Sequence, residues 1–171
     1  MEKGLKKIGI IGFSFALEPS EPNPCNQRIA YRIKLIAEEN PDTEFLFGNQ
    51  WEVDLALKWV GLTSDLVVEL PEDGSYLGSK EVWPIVRDQL FIPNGITEVV
   101  PVAQPFLQLP MVSKMIRADG FTVISPEMKL REIGFDKNSI QWWCRGPART
   151  AAKAVMLKLG FQHGYHGMQS S

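Results

Sequence analysis

Short apolar runs alternate along the chain with segments whose apolar residues recur at helical spacing. The first run, residues 7–16, is followed by a segment in which Ile29, Ile33 and Ile36 share one helical face. The same alternation continues toward the C-terminus, apart from an irregular stretch over residues 125–145. It predicts strands at residues 7–16, 43–47, 65–70, 96–102 and 121–124, and helices at residues 27–39, 51–60, 79–90, 111–118 and 147–159.

Strands that alternate with helices are typical of a parallel sheet covered on both faces. We therefore predict an α/β fold, a three-layer Rossmann-like sandwich with a mostly parallel five-stranded sheet. The 171 residues suffice for one core, so a single domain is expected over residues 1–171, with a frayed tail from about residue 162. The last helix is expected to pack closely on the sheet through a mostly small face, namely Ala148, Ala151, Ala152, Val155 and Leu159.

Charge and cysteine content exclude several classes of protein. With 18 basic and 20 acidic residues the net charge is −2, so no broad positive field favours a nucleic-acid partner. Cys25 and Cys144 form no Cys-x-x-Cys pair, which predicts buried thiols and neither a disulfide framework nor a metal site. The N-terminal apolar run is interpreted as a strand and not as a signal peptide, and no stretch reaches the length of a membrane span. We expect a soluble, cytoplasmic protein without a membrane partner.

The predicted fold indicates where a ligand would bind. In open α/β sheets ligands bind beyond the carboxyl ends of the strands, near the point where strand order reverses. The loops that reach this edge are predicted to begin at Ser14, Gly48, Glu69, Ala103 and Ser125. The candidate ligand-binding residues are Ser14, Arg28, Gly48, Glu52, Ser75, Ser79, Gln104 and Gln108. Each alone is more typical of a helix cap or a solvated loop, so the prediction depends on their convergence.

The candidate chemistry at these loops is limited. Glu52, Glu69 and Glu81 are the plausible general bases, with Glu69 and Glu81 as the weak catalytic candidates, and Arg28 is the plausible partner of an anion. Both histidines lie in the C-terminal tail, which disfavours a Ser-His-Asp or Cys-His mechanism. The sequence identifies no cofactor.

Two glycine-containing stretches look like nucleotide-binding motifs but depart from them. The stretch GIIGFSF lacks the Gly-x-Gly-x-x-Gly spacing of a dinucleotide-binding fingerprint. In GSYLGSK only three residues separate the glycines, where a Walker A loop has four, and Ser precedes Lys. This second loop still leads into a predicted helix, whose free N–H groups could receive a phosphate or carboxylate with Ser79 as the cap.

The order of four segments resembles the YdcF/SanA/ElyC-like family, a Rossmann-like group largely of unknown function. The segments are IIGFSF with Arg28 in NQRIAYRI, FGNQWEVDLALKWVGL, VVELPEDGSYLGSKEV and VAQPFLQLPMVSKMIRADGFTVI, and the resemblance spans about residues 7–160. Where the family has a His and an Arg after the fourth strand this chain has Gln108 and Met111, and Val82 replaces an Asn. The resemblance implies a divergent member with a less charged pocket.

Two functions remain open at this point. In the first, the protein binds a small anionic or nucleotide-like molecule at the C-terminal ends of the strands. The alternative is a non-catalytic protein–protein interaction or scaffold domain, and a homodimer is one such arrangement. The alternative requires a contiguous exposed aromatic patch, for which the candidates are Trp83, Phe135, Trp142 and Trp143.

Overall fold

Five parallel strands form the central sheet of the structure, a computed structural model that describes residues 5–16, 23–129 and 131–159. The strands are β1 (Lys6–Gly12), β2 (Thr43–Gln50), β3 (Leu66–Val68), β4 (Glu98–Val102) and β5 (Thr122–Val123). Their spatial order is β3-β2-β1-β4-β5. The first three strands extend the sheet from its middle to one edge, and β4 and β5 extend it on the other side of β1, so the strand order reverses between β1 and β4. The predicted Rossmann-like fold is confirmed, whereas the predicted frayed tail lies outside the described residues.

Helices connect the strands. They are α1 (Pro24–Glu39), α2 (Trp51–Trp59), α3 (Ser79–Val86), α4 (Gln108–Ala118) and α5 (Pro147–Lys158). A π-helical turn, Arg87–Phe91, extends α3, and a 3₁₀ turn, Trp142–Arg145, precedes α5. Helix α1 begins with a proline, and the Asn23 side chain accepts a hydrogen bond from the Asn26 N–H, which caps the first turn. None of the helices in these described segments is long and apolar enough to cross a membrane.

Two hydrophobic cores lie on opposite faces of the sheet. Successive side chains of a strand point to opposite faces, so Ile10 packs with α1 and α2 while Ile11 packs with α3 and α4. Both residues are fully buried, as expected for strands covered on two sides. Cys25 and Cys144 belong to the first core and are buried, as predicted.

Strand ends differ from the predicted ones because pairing between neighbours determines them. Strand β1 was expected to reach residue 16 but ends at Gly12, which is the last residue paired with both Asn49 and Val102. Strand β2 was expected to end at residue 47, yet it continues to Gln50 because β3 pairs with its last three residues and β1 pairs as far as Asn49. Gly48 therefore lies inside β2 and does not begin a loop, and a Cβ at this position would collide with Val86 of α3.

The expected packing of the last helix is wrong. The sheet-facing stripe predicted for α5 lies at the surface, with Val155 55% exposed and Leu159 68% exposed. The buried residues of α5 are Thr150 and Lys153, and the Thr150 hydroxyl donates to the Trp143 carbonyl oxygen. Helix α5 therefore packs on the 3₁₀ turn through a partly polar face.

Candidate functional site

A cavity of about 450 Å³ opens where the strand order reverses, at the carboxyl ends of β1 and β4. Ser14 follows β1, Ser79 begins α3, and Gln108 begins α4. Helix α5 closes another side of the cavity with Lys153. This is the position at which open α/β sheets bind ligands.

Gln108 ties three loops of this cavity together. Its Nε2 donates to the Ser14 carbonyl oxygen at 2.9 Å and to the Ser79 hydroxyl at 3.2 Å. Its Oε1 accepts from the Gln104 N–H at 3.3 Å. Three of the predicted site residues, Ser14, Ser79 and Gln108, are thus brought together as the convergence argument expected.

Glu52 is a buried carboxyl group beside the cavity. It lies in the first turn of α2, is only 4% exposed, and finds no hydrogen-bond partner of normal geometry for either carboxylate oxygen within the described residues. Burial raises the pKa of Glu52 to about 7, against an ordinary value of 4.5. The Glu52 backbone N–H and the nearby Ser14 hydroxyl oppose part of this rise. Glu52 can therefore gain or lose a proton near neutral pH.

Tyr76 connects Glu52 to the cavity wall. Its hydroxyl lies 2.9 Å from the Ser14 hydroxyl, and both residues line the cavity. Burial of this hydroxyl, followed by the nearby charge of Glu52, raises the pKa of Tyr76 to about 12. Tyr76 as a whole is half-buried. Tyr76 therefore remains protonated and able to donate a hydrogen bond at neutral pH.

Lys153 supplies a positive charge to the cavity. Its side chain is mostly buried, and its ammonium group lies 4.8 Å from the centroid of the Trp143 ring, which also lines the cavity. Within residues 5–16, 23–129 and 131–159, no carboxylate forms an ion pair with Lys153. Glu81, which lines the same cavity, has an exposed side chain. A cation, a carboxylate, several hydroxyl groups and an aromatic ring thus border one space, and the carboxylate is the more exposed of the two charges.

Amide side chains hold the backbone that leaves β1. The Gly12 N–H donates to Asn49 Oδ1 at 2.7 Å, the Ser14 N–H to Gln50 Oε1 at 2.9 Å, and the Phe15 N–H to Asn26 Oδ1 at 2.9 Å. All three amide side chains are buried. Their role here is to satisfy buried backbone groups and to position Ser14.

Besides Glu52 and Arg28, four of the predicted site residues do not line the cavity. Gln104 is fully buried, and its Oε1 accepts from the backbone N–H groups of Phe106 and Leu107 at 2.9 Å and 2.8 Å. The Ser75 N–H donates to Asp73 Oδ1 in a local turn. Glu69 has an exposed side chain outside the cavity, and Gly48 packs inside β2 as described above.

Arg28 lies in a different cavity. Its side chain projects from α1 toward the segment between β5 and α5, where Nη1 donates to the Ile133 carbonyl oxygen at 3.0 Å. It lines a cavity of about 670 Å³ that includes neither Ser14 nor Ser79. The sequence-based prediction placed these residues in one site, and the structure distributes them over two cavities.

Sequence reasoning missed several residues of the first cavity, namely Tyr76, Gln141 and Lys153. A signal for Lys153 was present, because Thr150, Lys153 and Leu157 have the spacing of one helical face. Tyr76 and Gln141 lie in irregular segments, where periodicity says nothing about which side chains point inward.

The aromatic patch required by the scaffold alternative does not form as expected. Trp83 is buried in the core, and its Nε1 donates to Asp119 Oδ2 at 2.7 Å. Phe135 packs edge to face on Phe15, with 6.5 Å between ring centroids. Of the four candidate aromatic residues only Trp142 is exposed, so the four side chains form no contiguous exposed patch.

Three comparisons of the chain with known proteins gave no match. No family model, no curated protein and no solved structure matches the chain. Among the described residues, no three His, Cys, Asp or Glu side chains are grouped so that they could hold a metal ion. The chemistry of the cavity must therefore be inferred from its own residues.

Proposed function

We propose that the protein binds a small anionic, nucleotide-like molecule in the cavity between the ends of β1 and β4. The observation that carries this proposal is the convergence of Lys153 with the hydroxyl groups of Ser14 and Ser79 on one cavity. Its volume of about 450 Å³ is within the range of roughly 300–1,000 Å³ that is usual for small-molecule sites.

The electrostatics of the cavity favour an anion. An ammonium group that lacks a carboxylate partner gains more from an anionic ligand in a partly desolvated space than in bulk water. The Ser79 hydroxyl adds a further donor. Gly78 precedes α3 and gives this helix no side-chain cap. The Glu81 N–H donates to the Gly78 carbonyl oxygen, which leaves the N–H groups of Ser79 and Lys80 as the first-turn donors for a negative group.

The same cavity can hold a ring next to the anion. The Trp143 indole lines the wall beside Lys153, and Leu107 and Met111 add apolar surface. An aromatic or heterocyclic ring gains from such contacts through burial and offset stacking. A nucleoside phosphate combines both chemical features.

We further propose that the chain is a divergent member of the YdcF/SanA/ElyC-like family with a cytoplasmic location. The parallel Rossmann-like sheet supports the family assignment, as does the position of the resembling segments around β1, β2, β3 and β4. The replacement of the family's His by Gln108 agrees with a cavity whose polar wall is built mainly from amide and hydroxyl groups.

A thermal-shift titration with adenosine 5′-monophosphate tests the binding proposal, with adenosine as the uncharged comparison. A ligand at a hundred times its dissociation constant stabilises the folded state by about 2.7 kcal/mol, which raises the melting temperature visibly. We expect this rise for the nucleotide and a much smaller one for the nucleoside. Lys153→Gln should abolish most of the difference between the nucleotide and the nucleoside in melting-temperature rise, because it removes the cation and keeps a side chain of similar length.

Lys114→Gln is the matched control, since Lys114 is exposed on α4 and does not line the cavity. Ser79→Ala provides a second test that leaves all charges in place, and it should weaken nucleotide binding more moderately. The proposal would be overturned by a nucleotide response that is the same in the wild type and Lys153→Gln. Absence of any response to nucleotides, sugar phosphates and inorganic phosphate would also overturn it.

A further inference from the structure

A second cavity, of about 670 Å³, lies beside the first one and has a different lining. Two arginines contribute to it, Arg28 from α1 and Arg131 from the segment after β5. Phe106, Phe135 and Pro147 supply apolar surface. The cavity is thus bordered by two positive charges and two aromatic rings.

Neither arginine is neutralised by a carboxylate within the part of the chain that the structure describes. Both side chains are exposed to the cavity opening. Both guanidinium groups line the same cavity, and each would attract an anion that enters it. The cavity therefore favours a negatively charged group.

The Arg28 guanidinium is held in position before any ligand arrives. Its Nη1 donates to the Ile133 carbonyl oxygen at 3.0 Å, and no other hydrogen bond of this guanidinium group occurs among the described residues. Gly134 makes this approach feasible, because a Cβ at that position would collide with Arg28 Nη1. Gly134 also has a φ of +71°, a conformation that favours glycine. The backbone thus accommodates an arginine whose orientation is fixed.

A wall of aromatic and loop residues separates the two cavities. Phe15 lines the first cavity and packs edge to face on Phe135, which lines the second. In the loop between β4 and α4, Phe106 lines the second cavity and Leu107 lines the first. The two cavities therefore share no lining residue among the described ones, although consecutive residues of this loop border each of them.

We propose that the Arg28–Arg131 cavity is a second binding site, which takes a molecule that joins an aromatic ring to an oxyanion such as a phosphate or carboxylate. The planar guanidinium group donates two parallel hydrogen bonds to such an oxyanion. The Phe106 and Phe135 rings offer faces and edges to the aromatic part of the ligand. This site is independent of the nucleotide-like ligand proposed for the first cavity.

Isothermal titration calorimetry with phenyl phosphate tests this proposal on the full chain, with inorganic phosphate as the comparison that lacks the ring. We expect phenyl phosphate to bind at least tenfold more tightly than inorganic phosphate. Arg131→Gln should weaken phenyl phosphate at least tenfold, and Arg28→Gln should do the same. Lys153→Gln, which alters only the first cavity, should leave the phenyl phosphate affinity within about twofold of the wild type.

Each contrary result has a definite meaning. If Lys153→Gln weakens phenyl phosphate while the two arginine variants do not, the ligand occupies the first cavity and the second site is refuted. Equal affinities for phenyl phosphate and inorganic phosphate would refute the aromatic part of the proposal. No binding of phenyl phosphate at millimolar concentration would refute it entirely. Arg131 makes no hydrogen bond shown in the structure, so Arg131→Gln reports on binding even if Arg28→Gln loosens the fold.

Discussion

The buried carboxyl group of Glu52 should make the stability of the protein depend on pH in a predictable direction. Glu52 is 4% exposed, and no described side chain offers its oxygens a hydrogen bond of normal geometry. Glu52→Gln keeps the shape of the side chain and removes its charge. The pH dependence of the substitution therefore isolates the cost of keeping a charge in this position.

The sign follows from the raised pKa. Between pH 4.5 and about 7 the unfolded chain has released the Glu52 proton while the folded protein still holds it. The contribution of Glu52 to the free energy of unfolding therefore falls as the pH rises through this window, and it is lowest above pH 7. Below pH 4.5 both states are protonated and the penalty disappears.

The magnitude follows from the same two pKa values. A difference of one pH unit corresponds to about 1.4 kcal/mol, so the complete penalty is about 3 kcal/mol. About 2.5 kcal/mol of it should develop between pH 5 and pH 8. Any constant cost of burying the new amide group affects Glu52→Gln equally at both pH values and cancels from this comparison.

Urea unfolding of the wild type and Glu52→Gln at pH 5 and pH 8 measures the effect. The variant should gain about 2.5 kcal/mol relative to the wild type on going from pH 5 to pH 8. Glu39→Gln is the control, because Glu39 is exposed at the end of α1 and a surface substitution usually changes stability by within roughly 0.5 kcal/mol. A stability difference between wild type and Glu52→Gln that is equal at both pH values would refute the reasoning.

Two further substitutions test the packing that positions the site. Gly48→Ala should destabilise the protein by about 1–3 kcal/mol in urea unfolding, since its Cβ would collide with Val86. Gly146→Ala is the control, because its Cβ meets open space on extended backbone. Equal losses of stability in both variants would contradict the packing argument. Trp83→Phe removes the hydrogen bond to Asp119. A double-mutant cycle with Asp119→Ala, measured by urea unfolding, should give a coupling free energy of about 1 kcal/mol or more. Additive effects of the two substitutions on stability would exclude a stabilising contact.

The alternation of apolar runs and helical stripes was enough to predict the five strands and the five α-helices found in the described residues. Strands β1, β2 and β4 place side chains in both cores, which requires the continuous apolar runs seen in the sequence. The exact ends of the strands could not be predicted from this alternation. Gly12 ends β1 and Gln50 ends β2 because of the neighbours with which they pair, and pairing is a non-local property.

The candidate site was predicted in part for the same reason. The parallel arrangement brings the strand ends together, and this indicated Ser14, Ser79 and Gln108 correctly as neighbours. The parallel arrangement of the strands did not indicate on which side of a connecting helix a side chain would lie. Arg28 projects from α1 toward Ile133, far along the sequence, and so lines a second cavity.

The sequence by itself determined the class of fold and the edge of the sheet at which polar loops meet, because hydrophobic periodicity and the parallel connection are local properties of the chain. Only the tertiary structure decided which charges face which cavity. Lys153 reaches the first cavity because α5 packs on the 3₁₀ turn through a partly polar face, and Glu52 has a raised pKa because surrounding elements exclude water from it. Burial and long-range contact depend on the whole fold, and no local pattern of residues specifies them.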